Sequence, residues 1–179
     1  SVLYRTTQPS DARMIDTQNP TLWNAVDHFY RQESQLLQDH RYRDWLAMMD
    51  STIDYRVPVT TSTIEGLVAR DNELGYYDED LTLLTARVAK LESKQSWVAQ
   101  PPSRLRYFVQ VNDISPHGDE LIQVVSNVLL FQYRWNMDQH FTAARTDLLR
   151  PADGQFRIVK RMVMLDRQSA GNQGLSVFF

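Results

Sequence analysis

Apolar positions recur with a helical period in three stretches before Pro101 and Pro102 and with a period of two beyond them. Asn19 followed by Pro20 predicts a helix start, the asparagine accepting an orphan amide hydrogen bond and the proline occupying a first-turn position that needs no N–H. That helix is expected to run to about Asp39, with Leu22, Val26, Phe29, Tyr30, Leu36 and Leu37 near one face and Arg31, Gln35 and Gln38 elsewhere. A shorter helix is expected over 42–49, where Trp45, Leu46, Met48 and Met49 leave little to be solvated. Residues 52–61 are β-branched and alternating, and Pro58 places them at an edge or a bulge. In the stretch DEDLTLLTARVAKLES, Asp78 is the expected N-cap and Glu79 and Asp80 fall in the first turn. Leu81, Leu84, Val88 and Leu91 form the buried stripe of this third helix.

Four strands follow, over 105–114, 121–135, 141–149 and 156–166, punctuated by the turn stretches SPHGD at 115–119 and PADG at 151–154. Strands so spaced form an antiparallel meander, and the segregation of helices from strands is that of an α+β domain whose early strand pairs with the late sheet. Residues 1–18 are polar and irregular and are expected to be an arm, and 19–179 a single domain. Along 121–135 both alternation sets are apolar: Ile122, Val124, Val128 and Leu130 on one face, Val125, Leu129, Phe131, Tyr133 and Trp135 on the other. An antiparallel sheet with helices on one side normally leaves its far side wet, so a second apolar face implies closure of the sheet or, with greater weight, burial by another chain.

Composition narrows the chemistry. With 179 residues, 42% apolar, 23% charged and a net charge of −3, the chain suits one core. Its longest apolar run, the five residues 45–49, falls far short of the roughly 20 needed to cross a bilayer. The first residues carry no cationic segment with an apolar h-region, so the cytoplasm is the expected location. The absence of cysteine excludes disulfides, thiolate nucleophiles, thiolate-bound zinc and any Fe–S cluster held by this chain's own sulfurs. Mild acidity without a basic stripe argues against nucleic acid as a partner.

Candidate reactive groups are sparse. His28 and His40, if on one helix, stand about 18 Å apart along its axis and cannot share a metal; His117 lies in a turn and His140 opens a strand. Asp54 and Tyr55 are adjacent on a strand and face opposite ways, so only one can enter a cavity. Asp27 with His28 is the other acid–base candidate. No Gly-x-Ser-x-Gly elbow occurs, and GNQG at 171–174 lacks the pattern of a phosphate loop. The cluster Arg145, Asp147, Arg150, Arg157, Lys160, Arg161, Asp166 and Arg167 has two readings: a solvated sheet face with cross-strand ion pairs, or the polar rim of an oligomer contact. Phe131, Tyr133, Trp135, Arg145, Arg161 and Asp166 are therefore the candidate subunit-interface residues.

Several stretches taken together resemble the small (β) subunit of the aromatic-ring-hydroxylating dioxygenases, the two-subunit Rieske non-haem iron oxygenases. They are ESQLLQDHRYRDWLAMMDSTIDYRVP at 33–58, YYDEDLTLLTARVAKLESKQSWVAQPPSRLR at 76–106, 141–150, 156–166 and the closing LSVFF at 175–179. One departure is local: Ala144 stands where members often carry Gly before the arginine. The resemblance implies an NTF2-like cone, a curved and mostly antiparallel sheet wrapped around N-terminal helices. It implies an α3β3 hexamer with a large subunit that holds the Rieske [2Fe-2S] cluster and a mononuclear Fe(II), fed by a ferredoxin and a reductase. No catalytic, cofactor or metal residue is carried over to this chain, whose role would be to hold the large-subunit trimer. A different class of protein on the same cone, a stand-alone isomerase, dehydratase or cyclase, would need an open pocket with Asp, His or Tyr converging in it, whereas a scaffold can fill its cone with large side chains.

Overall fold

The computed structural model describes residues 15–63, 66–69, 76–97, 102–134, 137–166 and 176–179. Helix α1 spans Pro20–Gln38, with the Asn19 carboxamide accepting from the Thr21 amide at 2.9 Å. Val26, Phe29, Tyr30, Glu33 and Leu37 make its buried face, so a carboxylate lies in the middle of the apolar stripe. Just before it, the Thr17 carbonyl accepts from the Trp23 indole and Ile15 packs against the core.

Helix α2 covers only Tyr42–Leu46, shorter than the expected 42–49. The Met48 carbonyl accepts from the Ile158 amide and Met49 pairs with Ile158, so the end of this apolar run is recruited into strand β1, Met49–Val57. An all-apolar run does not by itself separate helix from strand, and the neighbouring strand decides it here. Strand β2 (Thr60–Thr63) pairs with β3 (Gly66–Ala69) in a separate two-stranded sheet. The single strand expected over 52–61 is thus broken at Pro58, which has no N–H for a ladder.

Strand β4 (Tyr77–Glu79) pairs antiparallel with β1, which holds Asp78 in an extended strand and moves the cap of α3 (Leu81–Trp97) to Asp80. The Asp80 carboxylate accepts from the Leu83 amide at 2.9 Å. Asp78 is therefore not the N-cap.

Strands β5 (Arg104–His117), β6 (Leu121–Arg134), β7 (Met137–Ala152) and β8 (Gln155–Leu165) form the expected meander, and the main sheet runs β4-β1-β8-β7-β6-β5. All its pairs are antiparallel except β1 with β8. The turn between β7 and β8 has Asp153 at φ 51° and Gly154 at φ 75°, the positive pair that lets a two-residue hairpin follow the sheet twist. The sheet curves around α1 without closing, in the NTF2-like α+β arrangement, and Val26, Trp45, Tyr55, Leu84, Leu130 and Leu165 belong to one continuous core. No helix among the described residues is long and apolar enough to cross a membrane.

The relocated cap gives a direct prediction. Asp80→Ala should lower stability by about 1 kcal/mol, the usual worth of an N-cap, while Asp78→Ala, at an exposed position, changes it far less. Urea midpoints of the two variants check this.

Candidate functional site

Two regions stand out, one inside the cone and one on its outer face. Inside, α1 supplies Tyr30 and Glu33, α2 supplies Trp45, β6 supplies Ser126, β7 supplies Arg145 and Asp147, and β8 supplies Arg161. The Arg161 guanidinium donates to both Asp147 carboxylate oxygens at 2.8 and 2.7 Å, and through its two terminal nitrogens to both oxygens of Glu33. Arg145 reaches Glu33 Oε2 and Ser126 Oγ at 3.3 Å each, and its guanidinium lies 4.4 Å from the centre of the Tyr30 ring. Tyr30 donates its hydroxyl to Asp147 at 2.9 Å, and Trp45 donates its indole N–H to Glu33 at 3.0 Å.

Glu33, Arg145, Asp147 and Arg161 are each at most 2% exposed, so two guanidiniums neutralise two carboxylates away from water. Desolvating four ions is costly, and close, multiply hydrogen-bonded pairing is what offsets that cost. Burial alone would raise the Asp147 carboxyl, but Arg161 and Arg145 outweigh it and hold the group below the ordinary carboxylate range. A base so suppressed, with its oxygens already accepting from Arg161 and Tyr30, is poorly placed to take a proton from a substrate.

Residues 177–179 are buried in the core beside this cluster. Tyr55 donates to the Phe179 carbonyl at 3.1 Å and accepts from the Phe179 amide at 2.9 Å. Tyr77 donates to the Val177 carbonyl, Tyr107 to that of Phe178 and Arg161 to that of Phe179. The Phe178 ring stacks on Trp45 at 4.4 Å between centroids. Burial pushes the Tyr55 hydroxyl up to about 12 and raises Tyr30, Tyr77 and Tyr107 as well, so all four stay neutral donors. A cleft of about 850 Å³ does open between α1 and β5–β7, over Val109, Val128 and Ala143. Its tyrosines, Tyr30 and Tyr107, are already engaged as described, and its Asp27 is paired with Arg31 at 2.6 Å.

On the outer face, Phe108 is 58% and Tyr133 41% exposed, and Phe131 lies between them with ring centroids 6.2 Å from each. His140 of β7, the cross-strand partner of Phe131, completes the group at 6.1 Å. The two-faced alternation of β6 is seen directly: Ile122, Val124, Val128 and Leu130 are buried in the cone, while Val125, Leu129 and Phe131 on the other face are only half-buried.

The candidates from the sequence are thus separated. Phe131 and Tyr133 share the outer face; Trp135 lies outside the described residues; Asp166 is exposed at the end of β8, its amide donating to Thr142. Arg145 and Arg161 are interior residues, which corrects both the solvated-face and the polar-rim readings for them. A register shift near Leu148 and Leu149 inserts Val159 as an extra residue in β8, moving its inward set from Phe156 and Ile158 to Arg161, Val163 and Leu165. Of Asp54 and Tyr55 only the tyrosine enters the cone, while Asp54 pairs outside with Arg56 at 2.7 Å. His28 is exposed on α1, whereas Asp27 is half-buried at the cleft and paired with Arg31, so the two do not form an acid–base pair. Among the described residues no three His, Asp or Glu gather as a metal group. Glu33, Phe108 and the interior place of 177–179 escaped the sequence reading, although Glu33 sits in helical phase with Phe29, Tyr30 and Leu37.

Removing one partner of the buried cluster leaves uncompensated charge, so Arg161→Met should cost about 3–5 kcal/mol by urea unfolding and should be insensitive to salt. The pH profile has two edges. Asp147 titrates below its unfolded value, so its contribution is complete above about pH 4 and is lost as pH falls through the lowered folded value. The buried tyrosines titrate above their unfolded value, so theirs is complete below about pH 10 and is lost as pH rises towards the folded values. Thermal unfolding across pH 2–12 should show this plateau between two falling limbs.

Residues 32–170 match the model of the family described as ring hydroxylating beta subunit. The benzene 1,2-dioxygenase subunit beta of Pseudomonas putida is 32% identical over 171 residues, covering 88% of this chain and 89% of that protein. The biphenyl 2,3-dioxygenase subunit beta of Rhodococcus jostii (strain RHA1) is 26% identical over 170 residues, covering 90% of each. A chain of naphthalene 1,2-dioxygenase solved with indole in the active site superposes with a TM-score of 0.76 at 25% identity, covering 93% of this chain and 90% of that one. The chain belongs to the family of beta subunits of aromatic-ring-hydroxylating dioxygenases, the oxidoreductase assemblies whose small subunit this cone is.

Proposed function

We propose that this chain is a non-catalytic, architectural subunit that holds the large subunits of an aromatic-ring-hydroxylating dioxygenase in an α3β3 hexamer. In that assembly the large subunit carries the Rieske [2Fe-2S] cluster and the mononuclear Fe(II), and a ferredoxin and reductase deliver NADH-derived electrons to it in the cytoplasm. Dihydroxylation of an aromatic ring with O2 is then the work of the large subunit, while this chain supplies position. The names of the benzene and biphenyl relatives support the substrate class.

The observation that carries the reading is the outer aromatic group of Phe108, Phe131, Tyr133 and His140, on a sheet whose other face is already core. Apolar surface left outside a complete domain is what a permanent partner buries. Phe131 and Tyr133 head the contact set, Phe108 and His140 join them, Asp166 remains a candidate, and Trp135, outside the described residues, stays one on the sequence alone. Burial of such a surface stabilises the assembled geometry by mass action, without any contact with iron. The engaged interior supports the same reading against a stand-alone isomerase, dehydratase or cyclase, because the buried acids and tyrosines are spent on arginines and on 177–179.

The test is co-expression of the large subunit with a Phe108→Glu/Tyr133→Glu double variant. Both side chains are exposed in the isolated subunit, so its own unfolding should shift by no more than about 1 kcal/mol, whereas co-purification of the large subunit should be lost. Undiminished co-purification would contradict this interface. The purified wild-type subunit alone should contain no iron and turn over no aromatic substrate with O2; stoichiometric iron in it would contradict the architectural role.

A further inference from the structure

We propose that the interior of the cone is a peptide-binding socket, which residues 177–179 occupy in cis as an exchangeable ligand. The class of ligand it takes is a short extended peptide with consecutive aromatic side chains. The inference does not depend on which partner covers the outer face.

The grip falls on backbone. All three carbonyl oxygens of 177–179 are taken by side chains: Val177 by Tyr77, Phe178 by Tyr107, and Phe179 by both Tyr55 and Arg161, at 2.6–3.1 Å. The Phe179 amide is taken too, by the Tyr55 hydroxyl at 2.9 Å. Consecutive backbone groups held by side chains, with pockets for the alternating side chains, are what a receptor offers to an extended peptide. The pockets are aromatic: Tyr42, Trp45 and Tyr77 surround the Phe178 ring at 4.4–5.9 Å, and Phe141 meets Phe179 edge-on at 5.7 Å.

The gripping residues come from β1, β4, β5 and β8, and β4 and β5 are the two edges of the open sheet. One short segment therefore ties together edges that no ladder joins. Residues 177–179 are not themselves in a strand or helix, so they can leave the socket without breaking a ladder. A segment that the described residues hold through their side chains is able to open sub-globally, at lower free energy than the domain.

Two experiments decide the matter. In the intact chain, Tyr107→Phe removes one donor to the segment and keeps the ring. Amide exchange of 177–179 should accelerate by roughly tenfold, the usual effect of one lost hydrogen bond, with exchange in β5–β8 unchanged. No acceleration, or equal acceleration throughout the sheet, would make the segment ordinary core and overturn the proposal. In the second, a chain lacking 177–179 is titrated with the synthetic peptide Ser-Val-Phe-Phe, with Ser-Val-Ala-Ala as control. Its Tm should rise with the logarithm of Ser-Val-Phe-Phe concentration, and the control should leave it unmoved. A folded shortened chain indifferent to both peptides would overturn the socket. Should the shortened chain unfold, recovery of soluble protein on refolding with Ser-Val-Phe-Phe but not with the control supports it, and otherwise the exchange result decides.

Discussion

Four charges that cannot reach water organise this domain. Glu33 on α1, Arg145 and Asp147 on β7 and Arg161 on β8 share one dry site, and each is tolerable only because the others are present. Such a cluster need not be the most stabilising way to fill a core, since matched apolar side chains often do as well or better. What it demands is geometry. The helix must cross the sheet at the position where Glu33 meets both guanidiniums, and β8 must be bulged so that Arg161 faces inward opposite Asp147. Any other register strands an ion in the interior.

That constraint spreads to the rest of the cone. Arg161 has a donor left over from the carboxylates, and it holds the Phe179 carbonyl, so the charged cluster and the segment 177–179 share a side chain. The segment in turn accepts from the hydroxyls of Tyr55, Tyr77 and Tyr107, buried polar groups of the kind that need partners. Residues 177–179 therefore occupy the part of the cone beside the charged cluster and engage its tyrosines. With the inner face of the sheet packed on the core, the exposed aromatic group on the outer face is surplus to folding, which is the ground on which we propose it for association.

Much of this was legible in the residues. Helix α1 and the meander follow from period and turn chemistry, and the two apolar sets of β6 foretold a face beyond the core. Along β7 the information was present but easily misread: Arg145 and Asp147 share the parity of Phe141, Ala143 and Leu149, so alternation alone places them inside. Arg161 was not legible, because Phe156 and Ile158 set a parity that the bulge at Val159 reverses, and a bulge leaves no mark in composition. The shifted cap from Asp78 to Asp80 and the shortened α2 have one cause: pairing with β1 and β8 claims residues that local propensity would give to helices. The merging of β1 and β2 into one strand missed the break that Pro58 makes. Phe108 went unremarked because a lone aromatic in an alternating strand signals nothing until its cross-strand neighbours are known.

The central claim is that this subunit acts by lending its outer sheet face to a larger partner while the buried charged cluster inside its cone stays unchanged. Amide exchange of the subunit, free and then bound to its large subunit, tests it most directly. The account predicts new protection along β5–β7 around Phe108, Leu129–Tyr133 and His140, with the amides around Glu33 and Asp147 unchanged. An outer face left unprotected in the complex, with change concentrated inside the cone, would contradict it.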